Sequence, residues 1–138
     1  MSVSEVMHQY LDAARRADFD AAFEYYADDI SIRIPGRSAH AGVYRGRDAA
    51  ISYIQTARAL SRGADVELEL VDALMSDERF SLIVNERFRR EDGDIVISRA
   101  NVYRVRDGKI IEVLIFEADQ YAVDELFAGA ETTPSQPN

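Results

Sequence analysis

Proton chemistry has few sources in this chain. Its 138 residues include two histidines, His8 and His40, no cysteine, seven tyrosines and 25 carboxylates. Without cysteine there is no disulfide and no thiolate nucleophile. The two histidines stand in neither HExxH nor any similar spacing, so no metal site is expected. His40 follows Pro35-Gly36 in a loop. Its imidazole suits acid–base work near neutral pH, or it is an exposed loop residue. Among the carboxylates, Glu112 is either a pocket acid or a solvated group near Lys109, and Asp119 has the position of a helix cap. Arg99 either receives a ligand carboxylate or pairs with Glu86 on a neighbouring strand.

The elements that would hold these groups follow from periodicity. Ser2 and Glu5 have capping-box spacing, and Val6, Met7, Tyr10, Leu11 and Ala14 continue as a helical stripe. A second helix starts at Asp18, with Phe19, Ala22, Phe23 and Tyr26 on one face. Ile30, Ile32 and Ile34 alternate with Ser31 and Arg33, a strand that Pro35 ends. Val43 to Arg45 is a short strand, and Arg47-Asp48 opens a third helix through Ala50, Ile51, Ile54 and Ala57, which Gly63 stops.

The second half changes period. Strands fit Val66–Met75, Arg79–Arg90, Ile95–Arg106 and Lys109–Ala118. Glu91-Asp92-Gly93 and Asp107-Gly108 mark hairpins between the last three. A short helix follows Asp119, with Ala122, Val123, Leu126 and Phe127 on one side. Helices first and a meander second predict an α+β domain over residues 1–128, with a polar, disordered tail over 129–138. In the last strand, Ile110, Glu112, Leu114 and Phe116 fall on one face and Ile111, Val113 and Ile115 on the other. A sheet apolar on both faces needs a second cover, so a two-fold homodimer through the outer face is expected.

Composition excludes several classes. A net charge of −9 and a pI near 4.7 disfavour nucleic-acid binding. Apolar runs are too short for a membrane span, and "MSVSEVMHQY" lacks the basic and apolar regions of a signal peptide, so a cytoplasmic protein is expected.

Four landmarks occur in order: "YADD" before the first strand, Pro35-Gly36 after it, "YRGRDA" opening the third helix, and "RDGKI" between the last strands. Together they resemble the nuclear transport factor 2-like superfamily, most closely its SnoaL-like and ketosteroid-isomerase-like branch, over residues 5 to 128. The resemblance implies a cone, in which a curved mixed sheet (the cystatin-like α+β barrel) wraps three N-terminal helices. It also implies an apolar pocket in the mouth, no cofactor, and a hydrophobic small molecule as partner. This fold carries isomerases, cyclases, dehydratases, epoxide hydrolases and non-catalytic subunits, so it does not fix the activity.

Isomerases of the family use a carboxylate base and two donors, a tyrosine and a protonated aspartic acid, to hold an enolate oxygen. Aligned on "YADD" and "DGKI", the tyrosine falls on Tyr10, the acid on Asn101 and the base on Ile34. A phenol and an amide still donate hydrogen bonds, but Ile34 takes no proton. The alternative for Tyr10 is a core residue on an apolar stripe. His40 or Asp119 would then move the proton, Asp119 because SnoaL-like cyclases use an aspartate near this strand end. Tyr103, Arg99, Leu114 and Phe116 would line the pocket with Ile34. Limonene-epoxide-hydrolase-like members carry R-x-D on a middle strand; here Arg87 is followed by Arg89, and the water-activating carboxylate is missing. Two readings remain: an isomerase-, cyclase- or dehydratase-like enzyme on a carbonyl-bearing hydrophobic molecule, or a non-catalytic binding or accessory dimer.

Overall fold

Helix α1 (Val3–Arg15) begins as the capping box requires: the Ser2 hydroxyl accepts from the Glu5 N–H, and the Glu5 carboxylate accepts from the Ser2 N–H. Its buried stripe is Val6, Met7, Tyr10 and Ala13. The structure, a computed structural model, describes residues 1–60 and 65–131. Asp18 caps the single-turn α2 (Phe19–Phe23) through the Ala21 N–H. This helix is shorter than its apolar stripe suggests. Tyr26 does not extend it but opens β1 (Tyr26–Ile34), buried on the same side as Ile30, Ile32 and Ile34.

After β2 (Gly42–Arg45) and α3 (Arg47–Leu60) come four long strands: β3 (Asp65–Met75), β4 (Arg79–Arg89), β5 (Ile95–Arg106) and β6 (Lys109–Glu117). Their limits agree with the alternation to within a residue or so. The Asp107-Gly108 turn has positive φ at both residues, the geometry that fits a two-residue hairpin to strand twist. Helix α4 (Gln120–Glu131) closes the chain and runs past the expected domain end at residue 128. Gly63, expected to stop α3, and the tail over 132–138 lie outside the described residues.

The six strands form one curved, unclosed sheet in the order β2-β1-β6-β5-β4-β3. All pairs are antiparallel except β1 with β6, so β1 from the N-terminal half lies between the edge strand β2 and the C-terminal strand β6. The concave face packs on α1–α3 through Ile30, Ile32, Phe80, Leu82, Val84, Tyr103 and Val113. A second, smaller cluster joins α4 to the far ends of β4 and β5 through Phe88, Ile97 and Val123.

Strict alternation fails in β6. The register shifts between Arg104 and Val105, so Ile110 and Val113 are both buried although they differ in parity. Beyond this bulge Asn101 faces Ile115 and Val102 faces Leu114. Directly paired residues share a face. Leu114 and Phe116 therefore stand on the outer face, away from Asn101 and Tyr103, and Phe116 is 56% exposed. This corrects the expectation that both line the pocket.

Candidate functional site

The inner face of the sheet carries three polar layers. The deepest is made of tyrosines. α1 delivers Tyr10, β1 Tyr26 and β5 Tyr103, and all three are buried. The Tyr10 and Tyr26 hydroxyls are hydrogen-bonded at 3.1 Å, and the Tyr10 and Tyr103 rings lie 5.2 Å apart. Phe80 stacks on Tyr103 at 4.6 Å. Burial pushes the phenols of Tyr10 and Tyr103 well above their ordinary range, so they are neutral hydrogen-bonding groups at any physiological pH.

Asn101 makes the next layer. Register places it between Leu82 on β4 and Ile115 on β6, on the Tyr103 side of β5. Its amide lies close enough to the Tyr103 hydroxyl to oppose that rise. Asn101 and Ile115 are half-buried, whereas Leu82, Tyr103 and Val113 around them are buried. The Asn101 Oδ1 is itself buried and has no hydrogen-bond partner in the protein. A buried amide oxygen left unpaired is costly, and a hydrogen from water or from a ligand would satisfy it.

The outermost layer is ionic. The Arg99 Nη1 donates to Glu86 at 2.6 Å, and its Nε donates to Glu117 at 2.9 Å. Thus the cross-strand pairing with Glu86 is realised, with a second carboxylate added by β6. The Glu117 side chain is only 5% exposed, and burial raises its pKa above the ordinary value against the opposing pull of Arg99. Burial works to lower the Arg99 pKa, and Glu86 and Glu117 outweigh it. Tyr53 of α3 stands in the same field; burial lifts its phenol to about 12 while Arg99 opposes the rise.

The loop after β1 and the last helix meet beside these layers. Ile34 is buried at the end of β1, with the other inward isoleucines. Gly36 has φ of +102°, and a Cβ there would lie 2.3 Å from the Asp124 carboxylate. The Arg37 N–H donates to that carboxylate at 3.2 Å. His40 is half-buried, its ring edge-on to Phe127 at 5.9 Å, and its carbonyl accepts from the Tyr44 hydroxyl at 2.6 Å.

Of the residues singled out from sequence, Tyr10, Tyr103, Asn101, Arg99 and Ile34 come together on the concave side. His40 sits against α4. Asp119 is exposed and accepts from the Ala122 N–H at 3.1 Å, so it is the cap of α4. That placement matches the capping position read from the sequence. Arg87 is exposed and pairs with Asp94. An R-x-N spacing instead stands on β5 as Arg99-x-Asn101, with an amide where a water-activating carboxylate would be. Glu117 and Tyr53 were missed. Continuing the Val113, Ile115 alternation by one more step reaches Glu117, and Tyr53 follows Ala50 by three residues on α3. Among the described residues no group of histidines and carboxylates could hold a metal ion. Two grooves lie elsewhere on the surface, one of about 620 Å³ beside Asp29, Arg47, Arg106 and Lys109, the other of about 400 Å³ beside Gln9, Asp12 and Arg16.

The sequence matches the model of the SnoaL-like domain over residues 7–113, and the chain belongs to that family, within the nuclear transport factor 2-like fold. It is similar to Bal32a from a soil-derived mobile gene cassette, at 24% identity over 90% of this chain and 95% of that one, with a TM-score of 0.78. An NTF2-like protein of Burkholderia pseudomallei is 18% identical, covers 92% and 98%, and has a TM-score of 0.74. TerC, crystallised with polyporic acid, is 15% identical, covers 90% and 96%, and has a TM-score of 0.72. No curated protein matches the chain by sequence. Among the described residues no helix is long and apolar enough to cross a membrane.

Proposed function

We propose that the chain binds a hydrophobic, oxygen-bearing small molecule on the concave side of the cone, with the ligand oxygen at Asn101. The observation that carries this reading is the buried, unpartnered Asn101 Oδ1 beside the tyrosine layer. Isomerase- or cyclase-type proton transfer is the chemistry the family offers such a site, and crystallisation of TerC with polyporic acid supports a small organic ligand for this fold. In this reading Asn101 and the tyrosines polarise and orient, and no cofactor takes part. Tyr10 acts through its neighbours, because its hydroxyl is engaged by Tyr26.

A binding or accessory role without turnover is the second reading. The observation that favours it is Ile34, an alkyl side chain where the family's isomerase base would stand. Both readings use a homodimer formed through the outer sheet face, where Val43 and Phe116 are exposed.

The test is calorimetric titration at pH 7 with 2-naphthol and with 2-tetralone. At least one should bind the wild type, and Asn101→Leu should weaken it about tenfold, as expected when one good hydrogen bond is lost. Binding of neither probe, or equal binding to Asn101→Leu, would sink the assignment.

A further inference from the structure

The site discriminates by the polarity of the ligand's oxygen. We infer that it takes a neutral hydroxyl, as in an enol, a phenol or an alcohol, and rejects a carboxylate of the same skeleton. The inference rests on the proposed site at Asn101 and names its substrate class.

Two independent features support it. The first is the sense of the unpaired atom. Oδ1 is an acceptor, so the partner that satisfies it must bring a hydrogen. A hydroxyl does so, whereas a ketone or a carboxylate brings only lone pairs and leaves the buried oxygen facing another oxygen.

The second is the charge of the adjoining layer. Arg99 is the cation there, and a planar guanidinium binds a ligand carboxylate best with two parallel N–H groups. One edge of the guanidinium presents Nε with Nη2, the other Nη1 with Nη2. Glu117 occupies Nε and Glu86 occupies Nη1, so each edge has one prong taken. An incoming carboxylate would have to displace a protein carboxylate or approach it. Glu86, Glu117 and the nearby Asp124 outnumber the single guanidinium, and Asp124 already bears on Glu117. Tyr53, which faces the same field, stays neutral below its pKa of about 12. The layer is therefore repulsive to anions despite containing an arginine, and like-charge approach in a partly dry site is a strong means of rejection.

The experiment compares three probes on one bicyclic frame by calorimetry at pH 7: 2-naphthol, 2-tetralone and 2-naphthoate. Wild type should bind naphthol about tenfold more tightly than either of the others. Glu86→Gln and Glu117→Gln should each narrow the gap to naphthoate and leave the gap to tetralone in place. Tetralone bound as tightly as naphthol overturns the acceptor argument, and naphthoate bound as tightly overturns the charge argument. Binding of none of the three overturns the site itself, a separate failure from a wrong order among bound probes. Circular dichroism of each variant checks folding, and the wild-type order alone decides the inference if a variant fails to fold.

Discussion

At the scale of single residues, the concave face carries polar groups, and the resemblance implies Ile34 at the position of the isomerases' base. Ile34 is 6% exposed among the isoleucines of β1. Hydrogen-bonding groups at Asn101 and the tyrosines can hold an enol, but they cannot remove the carbon-bound proton that forms it. Ile34→Asp should therefore introduce weak ketosteroid isomerase activity into a protein with little of its own. The substitution should cost about 2 to 4 kcal/mol of stability, because a carboxylate replaces a buried alkyl group and takes a raised pKa. Dienone absorbance on an unsaturated ketosteroid, wild type beside variant, checks this. Strong turnover by the wild type would show that another group serves as base. Tyr10 and Asn101 were legible in the sequence only through their distances from "YADD" and "DGKI". What the sequence did not show is that Tyr26 satisfies the Tyr10 hydroxyl, since that bond joins a helix to a strand across the core.

At the scale of elements, the alternation of apolar residues located the long strands, because a period of two is a local signal. It failed where one extra residue entered β6. A bulge is set by the partner strand, here at Arg104 and Val105, and every face assignment beyond it inverts relative to Ile110. That slip is why Leu114 and Phe116 were read as pocket lining and Glu117 was passed over. The corrected register joins three strands at one ion cluster, with Glu86 on β4, Arg99 on β5 and Glu117 on β6. Arg99→Leu would leave two carboxylates facing each other in a half-buried site. It should cost about 3 kcal/mol at pH 7, as for loss of one partner from a buried pair. The pH dependence has a definite sign. Without Arg99 the Glu117 carboxyl, already raised by burial, should hold its proton more tightly in the folded than in the unfolded chain, so the variant's stability falls as pH rises through the interval between those values. Thermal melts at pH 4 and pH 7 should show the deficit shrinking in acid, and a deficit that grows in acid would refute the charge account.

At the scale of the molecule, the sheet has one face on the helices and an outer face with apolar residues that remain accessible. Phe116 is exposed on the central strand β6 and Val43 on the edge strand β2, and Leu114 and Val102 are half-buried on the same face. A homodimer through this face is the expected state, with sedimentation at micromolar concentration giving about twice the chain mass. Phe116→Glu should shift that equilibrium to monomer without unfolding the chain, since the new charge enters the interface and not the core. A wild-type monomer would remove this role for the outer face. Sequence alone does not separate the two kinds of cover, because apolar strands covered by helices and apolar strands covered by another subunit have the same pattern.

The central claim is that a ligand oxygen occupies the unpaired position at Asn101, and a crystal structure of the protein soaked with 2-naphthol tests it most directly. Density for the ring system is expected on the concave side of the sheet, with the naphthol hydroxyl donating to the Asn101 Oδ1 at about 2.7 Å, an ordinary O–H···O distance. Naphthol seated instead in the groove beside Asp29 and Arg106, or a concave side closed by protein side chains with Asn101 still unpaired, would contradict it.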